Sequence, residues 1–304
     1  MNTRELQDRI IELKKKKDVC ILAHAYQSHA IWEIADYTGD SFGLSQKAAK
    51  TTAKTVIMCG VRFMAETVKT LNPDKKVILA NPEADCPMAR QFDLADVNYF
   101  KQQNPDAAVC AYINTTADLK RSVDIVVTSS SAVTILRKIP EQKILFIPDR
   151  NLGAYVAAQI PEKEFIYVQG GCPTHQRVKA SMSKSVLEAH PSALLLAHPE
   201  CLPEITAMAD YVGSTTGIID YAVNSSEKEF IIGTESSIVE HLQFMCPEKK
   251  FYALHKDLVC HNMRLTTLGD IYNCLLDNGG EEITLPEQVR LESLKPIQRM
   301  IALG

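Results

Sequence analysis

Three stretches decide the fold: VCILAHAYQ (residues 19–27), AAVCAYINT (107–115) and SALLLAHPE (192–200). Each is an apolar run that closes on a polar residue. With His24, Tyr112 and His198 set in one column, the copies lie 88 and 86 residues apart. Other columns keep their offsets. Asp36, Asp124 and Asp210 stand 12 residues after the first column, and Ser41, Ser129 and Thr215 stand 17 after it. Further apolar runs begin at Val56, Ile144 and Phe230, 32 residues on, and at Val77, Phe165 and Phe251, 53 residues on. Cys86, Cys172 and Cys260 follow at 62, 60 and 62 residues. One such coincidence is weak, but five columns held in three copies mark an internal repeat of about 86–88 residues. That period is too long for a solenoid unit, so each copy is expected to be a small domain.

Each copy holds four short runs rich in Val, Ile and Leu, separated by amphipathic stretches such as SFGLSQKAAKTTA and SAVTILRKIP. Buried strands alternating with helices imply a parallel sheet covered on both faces. The expected fold class is α/β: three homologous three-layer αβα domains with short parallel sheets, related by pseudo-threefold symmetry around a central active site. The expected boundaries are 1–100 with a leading helix, 101–190, and 191–304 with C-terminal helices. The leading helix covers Glu5 to Lys17, and its Lys14–Lys17 run suits the negative helix end. The tail reads as a helix from Arg264, a turn at Asn278-Gly279-Gly280, and a last helix from Pro286 to Leu303.

The 304 residues carry 33 Lys+Arg against 37 Asp+Glu, a net charge of −4. This excludes a broadly basic nucleic-acid binder and a polybasic membrane binder. The apolar runs are strand-length, too short to span a bilayer. The N-terminal MNTRELQDRI has charges where a signal peptide needs an apolar stretch, so a cytoplasmic protein is expected. Nine Cys, an odd number, with no C-x-x-C pair, argue against a disulfide framework, a zinc ribbon or a ferredoxin. Cys20, Cys59 and Cys110 lie inside apolar runs and read as small buried hydrophobes.

In open parallel sheets ligands bind beyond the carboxyl ends of the strands. There the first column places His24, Tyr112 and His198, with Tyr26, Asn114 and Glu200 two residues on. Ser41, Ser129 and Thr215 stand just before helical patterns, where Ser and Thr are favoured caps and helix N-termini suit anions. Three such ends facing inward make a site for a small molecule bearing phosphate and carboxylates. The Cys column brings Cys86, Cys172 and Cys260 to the same axis, and Gly170-Gly171 lets one of these loops approach closely. Three soft ligands invite an iron–sulfur cluster or zinc. A [4Fe–4S] cluster held by three Cys leaves one iron open, as a Lewis acid requires. Cys201 and Cys246 have no counterparts in the other copies and are set aside. His175 and His261 sit near the column Cys, as partners of the ligands or as ordinary loop residues. Tyr26 and Tyr112 are candidate acids; His24, His198 and Glu200 are candidate proton carriers. Three readings stay open at this point: a dehydrating synthase with a Lewis-acid cluster, a metal that only staples three domains together, and a noncatalytic anion-binding protein.

The strings LAHAYQ, DYTGDS, FMAETVK, LNPDKK, CPMA, YINTTAD, PDRNLG, GCPTHQ, HPEC, DYVGST and IGTE together resemble the quinolinate synthase family of bacterial NAD biosynthesis, from about Leu13 to the last helix. The resemblance implies three αβα domains around a [4Fe–4S] cluster on Cys86, Cys172 and Cys260. It implies condensation of iminoaspartate (iminosuccinate) with dihydroxyacetone phosphate to quinolinate, and a functional link to whichever enzyme supplies the unstable iminoaspartate. Substrate contacts matched by motif are His24, Ser41, Tyr112, Asn114, Ser129, His198, Glu200 and Thr215; Tyr26 matches a tyrosine of the acid–base steps. Ala25 and Ser131 stand where family members often have Asn, and Arg62 where Asp or His is common.

Overall fold

A computed structural model describes residues 1–304 as three parallel sheets covered by helices. The first sheet holds β1 (Val19–His24), β2 (Tyr37–Gly39), β3 (Thr55–Cys59) and β4 (Lys76–Leu79). The second holds β5 (Ala108–Tyr112), β6 (Ile125–Val127), β7 (Lys143–Ile147) and β8 (Glu164–Tyr167). The third holds β9 (Leu194–Ala197), β10 (Tyr211–Val212), β11 (Glu229–Gly233) and β12 (Lys250–Ala253). The strand orders β2-β1-β3-β4, β6-β5-β7-β8 and β10-β9-β11-β12 are one topology written three times. The α/β class and the repeated three-layer units expected from sequence are therefore present.

The apolar columns are the pairing register itself. Cys20 pairs with Val56 and Val56 with Val77. Ala108, Ile144 and Phe165 form the same row in the second sheet, and Leu194, Phe230 and Phe251 in the third. Both faces of these strands are buried, so a one-residue slip would exchange the side chains packed against the two helical layers.

The Asp column is structural. Asp36, Asp124 and Asp210 accept the amides of Ile21, Val109 and Leu195 at 2.8, 2.8 and 2.7 Å. Each Asp amide donates back to the carbonyl of the same residue, at 2.8, 2.9 and 2.8 Å. This reciprocal pair pins the start of the second strand beside the first in every copy. A Lys column also emerges: Lys75, Lys163 and Lys249 reach the carbonyls that end the helices Ser41–Lys50, Ala132–Lys138 and Thr215–Asn224. Their bonds to the C-cap carbonyls of Thr51, Ile139 and Ser225 measure 2.8, 2.5 and 2.7 Å. Cations there satisfy orphan carbonyls and suit the helix dipole.

Two expectations need correction. Ser41 and Thr215 are first helical residues, not caps; Asp40 and Ser214 cap those helices through the amides of Gly43 and Gly217. Ser129 lies in the turn before the helix Ala132–Lys138, whose cap position is Ser131. The hydroxyls of the column are thus left free of capping duty. In the tail, residues 264–267 do not continue a helix. The helix is Leu268–Leu275, entered through a capping box of Thr267 and Asp270.

The tail also packs away from the copy it follows. Ile271, Cys274 and Leu275 join the core of the first sheet, and β13 (Glu281–Glu282) adds antiparallel to β4. In the last helix, Glu287–Leu303, Ile297 and Met300 join the core of the second sheet, while Arg299 meets Glu141 at 2.8 Å. The leading helix, Thr3–Lys17, opens with a box of Asn2 and Glu5. From its basic run Lys14 pairs with Asp36 and Lys17 with Asp277.

Between the first two copies Lys120 is 1% exposed. Its Nζ donates to the Thr115 carbonyl and lies 5.8 Å from the Phe63 ring centroid. Burial pushes its ammonium down to about 7, against the opposing pull of Glu66. Above that pH the folded protein sheds this proton while the unfolded chain keeps it until its ordinary value of 10.5. The contribution of Lys120 to stability therefore rises with pH across that window. Melting temperatures of the wild type and Lys120→Met, taken from about pH 6 to about pH 9, should diverge in favour of the wild type. A difference that stays constant contradicts the buried ammonium.

Candidate active site

The carboxyl ends of the three sheets share one pocket. His24, Tyr26 and Ser41 reach it from the first copy, Tyr112, Asn114 and Ser129 from the second, and His198, Glu200 and Thr215 from the third. Cys86, Cys172 and Cys260 line it as well, so every site residue expected from sequence stands on its wall. The space not filled by atoms among these side chains, open solvent at the mouth included, is about 760 Å³. His24 and Tyr112 are the last residues of β1 and β5, and His198 follows β9 directly.

The cysteines divide cleanly. Cys20, Cys59, Cys110, Cys201, Cys246 and Cys274 are buried, whereas Cys86, Cys172 and Cys260 are partly open. All nine are free. The three column Cys sit in loops that carry them five to seven residues beyond β4, β8 and β12. Enclosure pushes the Cys86 thiol up to about 12, and neighbouring Cys260 adds to this. Enclosure raises Cys172 too, with Glu200 and Cys86 contributing. Thiols that oppose one another's ionisation form a donor set whose mutual repulsion a bound cation removes. Cys172, His175 and Glu200 form a second grouping, with ligand atoms all within 4.8 Å of one another. His261 is exposed and lies off the pocket wall, so it is an ordinary loop residue.

Gly170-Gly171 does what the sequence suggested. A Cβ on Gly170 would stand 2.5 Å from the Pro148 carbonyl oxygen, and one on Gly171 2.0 Å from Gln176 Nε2. Gly171 also has φ +153°. The loop before Cys172 is thus pressed against the Pro148 backbone at Gly170 and against the Gln176 side chain at Gly171.

Glu200, 4% exposed, is the electrostatic centre. It accepts from Tyr112 Oη at 2.8 Å and faces His175 Nδ1 at 2.9 Å. Burial alone would raise its carboxyl, but the pull of His198 and His175 whenever either ring carries a proton, together with the hydrogen bonds from His175 and Tyr112, outweighs burial and holds it below the usual carboxylate range. Burial beside this anion raises both Tyr26 and Tyr112, so each phenol keeps its proton at neutral pH. Burial also pushes His24 and His198 down to about 4, leaving neutral imidazoles. His24 Nδ1 accepts the amide of Tyr26 at 3.0 Å, and His198 Nδ1 accepts that of Glu200 at 3.3 Å. The proton of each ring therefore sits on Nε2, which makes both rings donors.

Sequence reasoning missed Thr234 and undervalued His175. Tyr26 Oη bonds Thr215 Oγ1 at 2.8 Å and Thr234 Oγ1 at 2.9 Å, and Thr234 continues to His175 Nε2 at 3.0 Å. A continuous chain thus runs from Tyr26 through Thr234 and His175 to Glu200. Thr234 belongs to the IGTE string, yet no repeat column flags it. Asp40, the cap before Ser41, also lines the pocket, and Thr216 of the third copy reaches it at 3.3 Å. Ala25, Arg62 and Ser131, the departures from the family pattern, are not on the pocket wall. Arg62 instead anchors β13 through Glu281, at 2.8 and 2.5 Å.

Fold and site define an α/β protein of three similar units whose strand ends gather thiols, imidazoles, phenols and one carboxylate in a shared pocket. Residues 8–302 match the family described as quinolinate synthetase A protein. The quinolinate synthase of Caldicellulosiruptor saccharolyticus is 45% identical over 304 residues, all of both chains. That of Alkaliphilus metalliredigens is 46% identical over 301 residues, 99% of each. That of Geobacter metallireducens is 41% identical over 303 residues, 100% of this chain and 99% of its own. The chain belongs to the quinolinate synthase family. No helix is long and apolar enough to cross a membrane.

Gly171→Ala places a Cβ on a backbone at φ +153°, which L side chains rarely adopt, so it should cost about 1–3 kcal/mol in urea unfolding. Wild-type stability in this variant would contradict a backbone that only glycine accepts there.

Proposed function

We propose that this chain condenses iminoaspartate with dihydroxyacetone phosphate, releasing phosphate and two waters to form quinolinate. We assign Cys86, Cys172 and Cys260 as ligands of a [4Fe–4S] cluster with one open iron. One observation carries this reading: the only partly open cysteines of the chain, one from each copy, line the same pocket as Glu200 and the tyrosines. The donor set fits, since three soft sulfurs from distant parts of the chain supply three of the four usual ligands. When bound, the cluster supplies a Lewis-acidic iron of the kind that assists loss of hydroxide.

The chain's own residues carry the rest. His24 and His198 offer Nε2–H donors to carboxylate or carbonyl oxygens. Ser41, Ser129 and Thr215, whose hydroxyls are free of capping duty, bind the phosphate and carboxylates together with the Asn114 amide. Tyr26 and Tyr112 hold protons for departing oxygens, and ionised Glu200 accepts protons, directly or through His175 and Thr234. Phe42, Val61, Phe63, Met88, Ile113 and Met263 form the apolar wall, which limits water and strengthens every charge inside. Iminoaspartate is an imine that water destroys, so we expect a supplying enzyme to work close by.

A second reading has its own observation. Cys172, His175 and Glu200 offer the S, N and O donors of a mononuclear zinc site, so the metal could merely join domains. Anaerobic purification separates the two. The cluster reading expects brown protein that forms quinolinate from the two substrates and loses its open iron in air. Cys86→Ala should lose iron and activity together. Glu200→Gln should keep iron and lose about 100-fold or more in turnover. Colourless zinc protein, or a fully active Glu200→Gln, overturns the proposal.

A further inference from the structure

The acids behind the pocket share an unassigned task. In every copy the amide of the column cysteine donates to a carboxylate. Cys86 N–H meets Asp85 Oδ1 at 2.8 Å, Cys172 N–H meets Asp149 Oδ2 at 3.0 Å, and Cys260 N–H meets Glu235 Oε1 at 3.3 Å. Asp149 and Glu235 form another column, 37 residues after Tyr112 and His198. The first copy has Val61 there, and Asp85 replaces the missing acid from within the loop itself.

Asp149 and Glu235 are both 0% exposed, a costly place for a carboxylate unless every lone pair has work. Each uses its second oxygen on the helix that follows its strand. Asp149 Oδ1 accepts the amide of Leu152 at 2.8 Å, and Glu235 Oε2 accepts the amide of Ser237 at 2.8 Å and also its hydroxyl. Arg264 Nε adds a bond to Glu235 Oε1 at 3.0 Å. One carboxylate thus bolts a cysteine loop to the first turn of a helix. An amide side chain cannot do this, because its NH₂ would face a backbone N–H. Asp85 is tied in its turn by Arg90 Nε at 2.7 Å.

We infer that Asp85, Asp149 and Glu235 are positioning residues that hold the three cysteine amides, and through them the thiols, at the spacing one cofactor requires. This rests on the three-cysteine cluster proposed above. Groups that orient ligands are worth about 10–100-fold in metal affinity. The protein is reconstituted anaerobically with iron and sulfide, and iron loss to a ferrous chelator is timed by visible absorbance. Far-UV circular dichroism and melting follow the fold. Asp149→Asn, Glu235→Gln and Asp85→Ala should each lose iron about tenfold faster or more. Asp93→Ala is the control: it removes a helix cap of the same kind, on the amide of Asp96, that touches no cysteine. It should lose iron at the wild-type rate even where its melting temperature falls as far.

Wild-type rates in all three variants, or equally fast loss in Asp93→Ala, overturn the inference. If the two buried variants fail to fold, Asp85→Ala decides alone, since its side chain is 33% exposed in a loop. A wild type that takes up no iron fails the cluster proposal instead, a result distinct from unchanged loss rates.

Discussion

Hydrogen bonding between parallel strands puts all their carboxyl ends on one edge of a sheet, and here three such edges meet around a single pocket. Everything chemical in the molecule depends on that directional constraint. The Asp column enforces it, since each Asp clamps its second strand to the first through a reciprocal pair of bonds. With the register held, the residues that end β1, β5 and β9 have one destination. Residues 88 and 86 positions apart in the chain become neighbours.

What gathers there is an unusual charge balance. Glu200 is buried and ionised, the phenols beside it keep their protons, and the two column imidazoles are neutral. A low-dielectric pocket magnifies each of these states. It holds donors and acceptors in fixed places, which suits condensation and dehydration, where oxygens must leave with protons. The tautomers of His24 and His198 are set by the same backbone feature in two copies, an amide two residues on that caps Nδ1. The repeat therefore supplies a chemical device as well as a shape. The third copy breaks the pattern with Glu200 where the others have Tyr26 and Asn114, and that asymmetry gives the pocket its anion.

Much of this was legible in the sequence because repetition converts weak signals into strong ones. The strand rows, the pocket-facing column and the three cysteines all recur in every copy. What escaped did so for physical reasons. The caps lie one residue earlier than expected at Asp40 and Ser214, since either Asp or Ser can cap and the column showed only the hydroxyls. Asp149 and Glu235 recur twice, but Val61 hides the column in the first copy. Thr234 acts only through neighbours from other copies, which no interval reveals. The tail has no counterpart in the repeat, so nothing in its spacing says that Ile271 belongs with the first sheet and Ile297 with the second.

The cysteine loops are where these threads meet: strand ends deliver them, glycines press one of them inward, and carboxylates hold their amides. The decisive measurement is a Mössbauer spectrum of protein loaded anaerobically with ⁵⁷Fe, taken with and without quinolinate. The [4Fe–4S] cluster proposed on Cys86, Cys172 and Cys260 predicts four irons, one of which lacks a cysteine and changes its signal when the dicarboxylate binds. A single isolated iron, or four irons that all ignore the ligand, would contradict the convergence of the three loops on one open-iron cofactor.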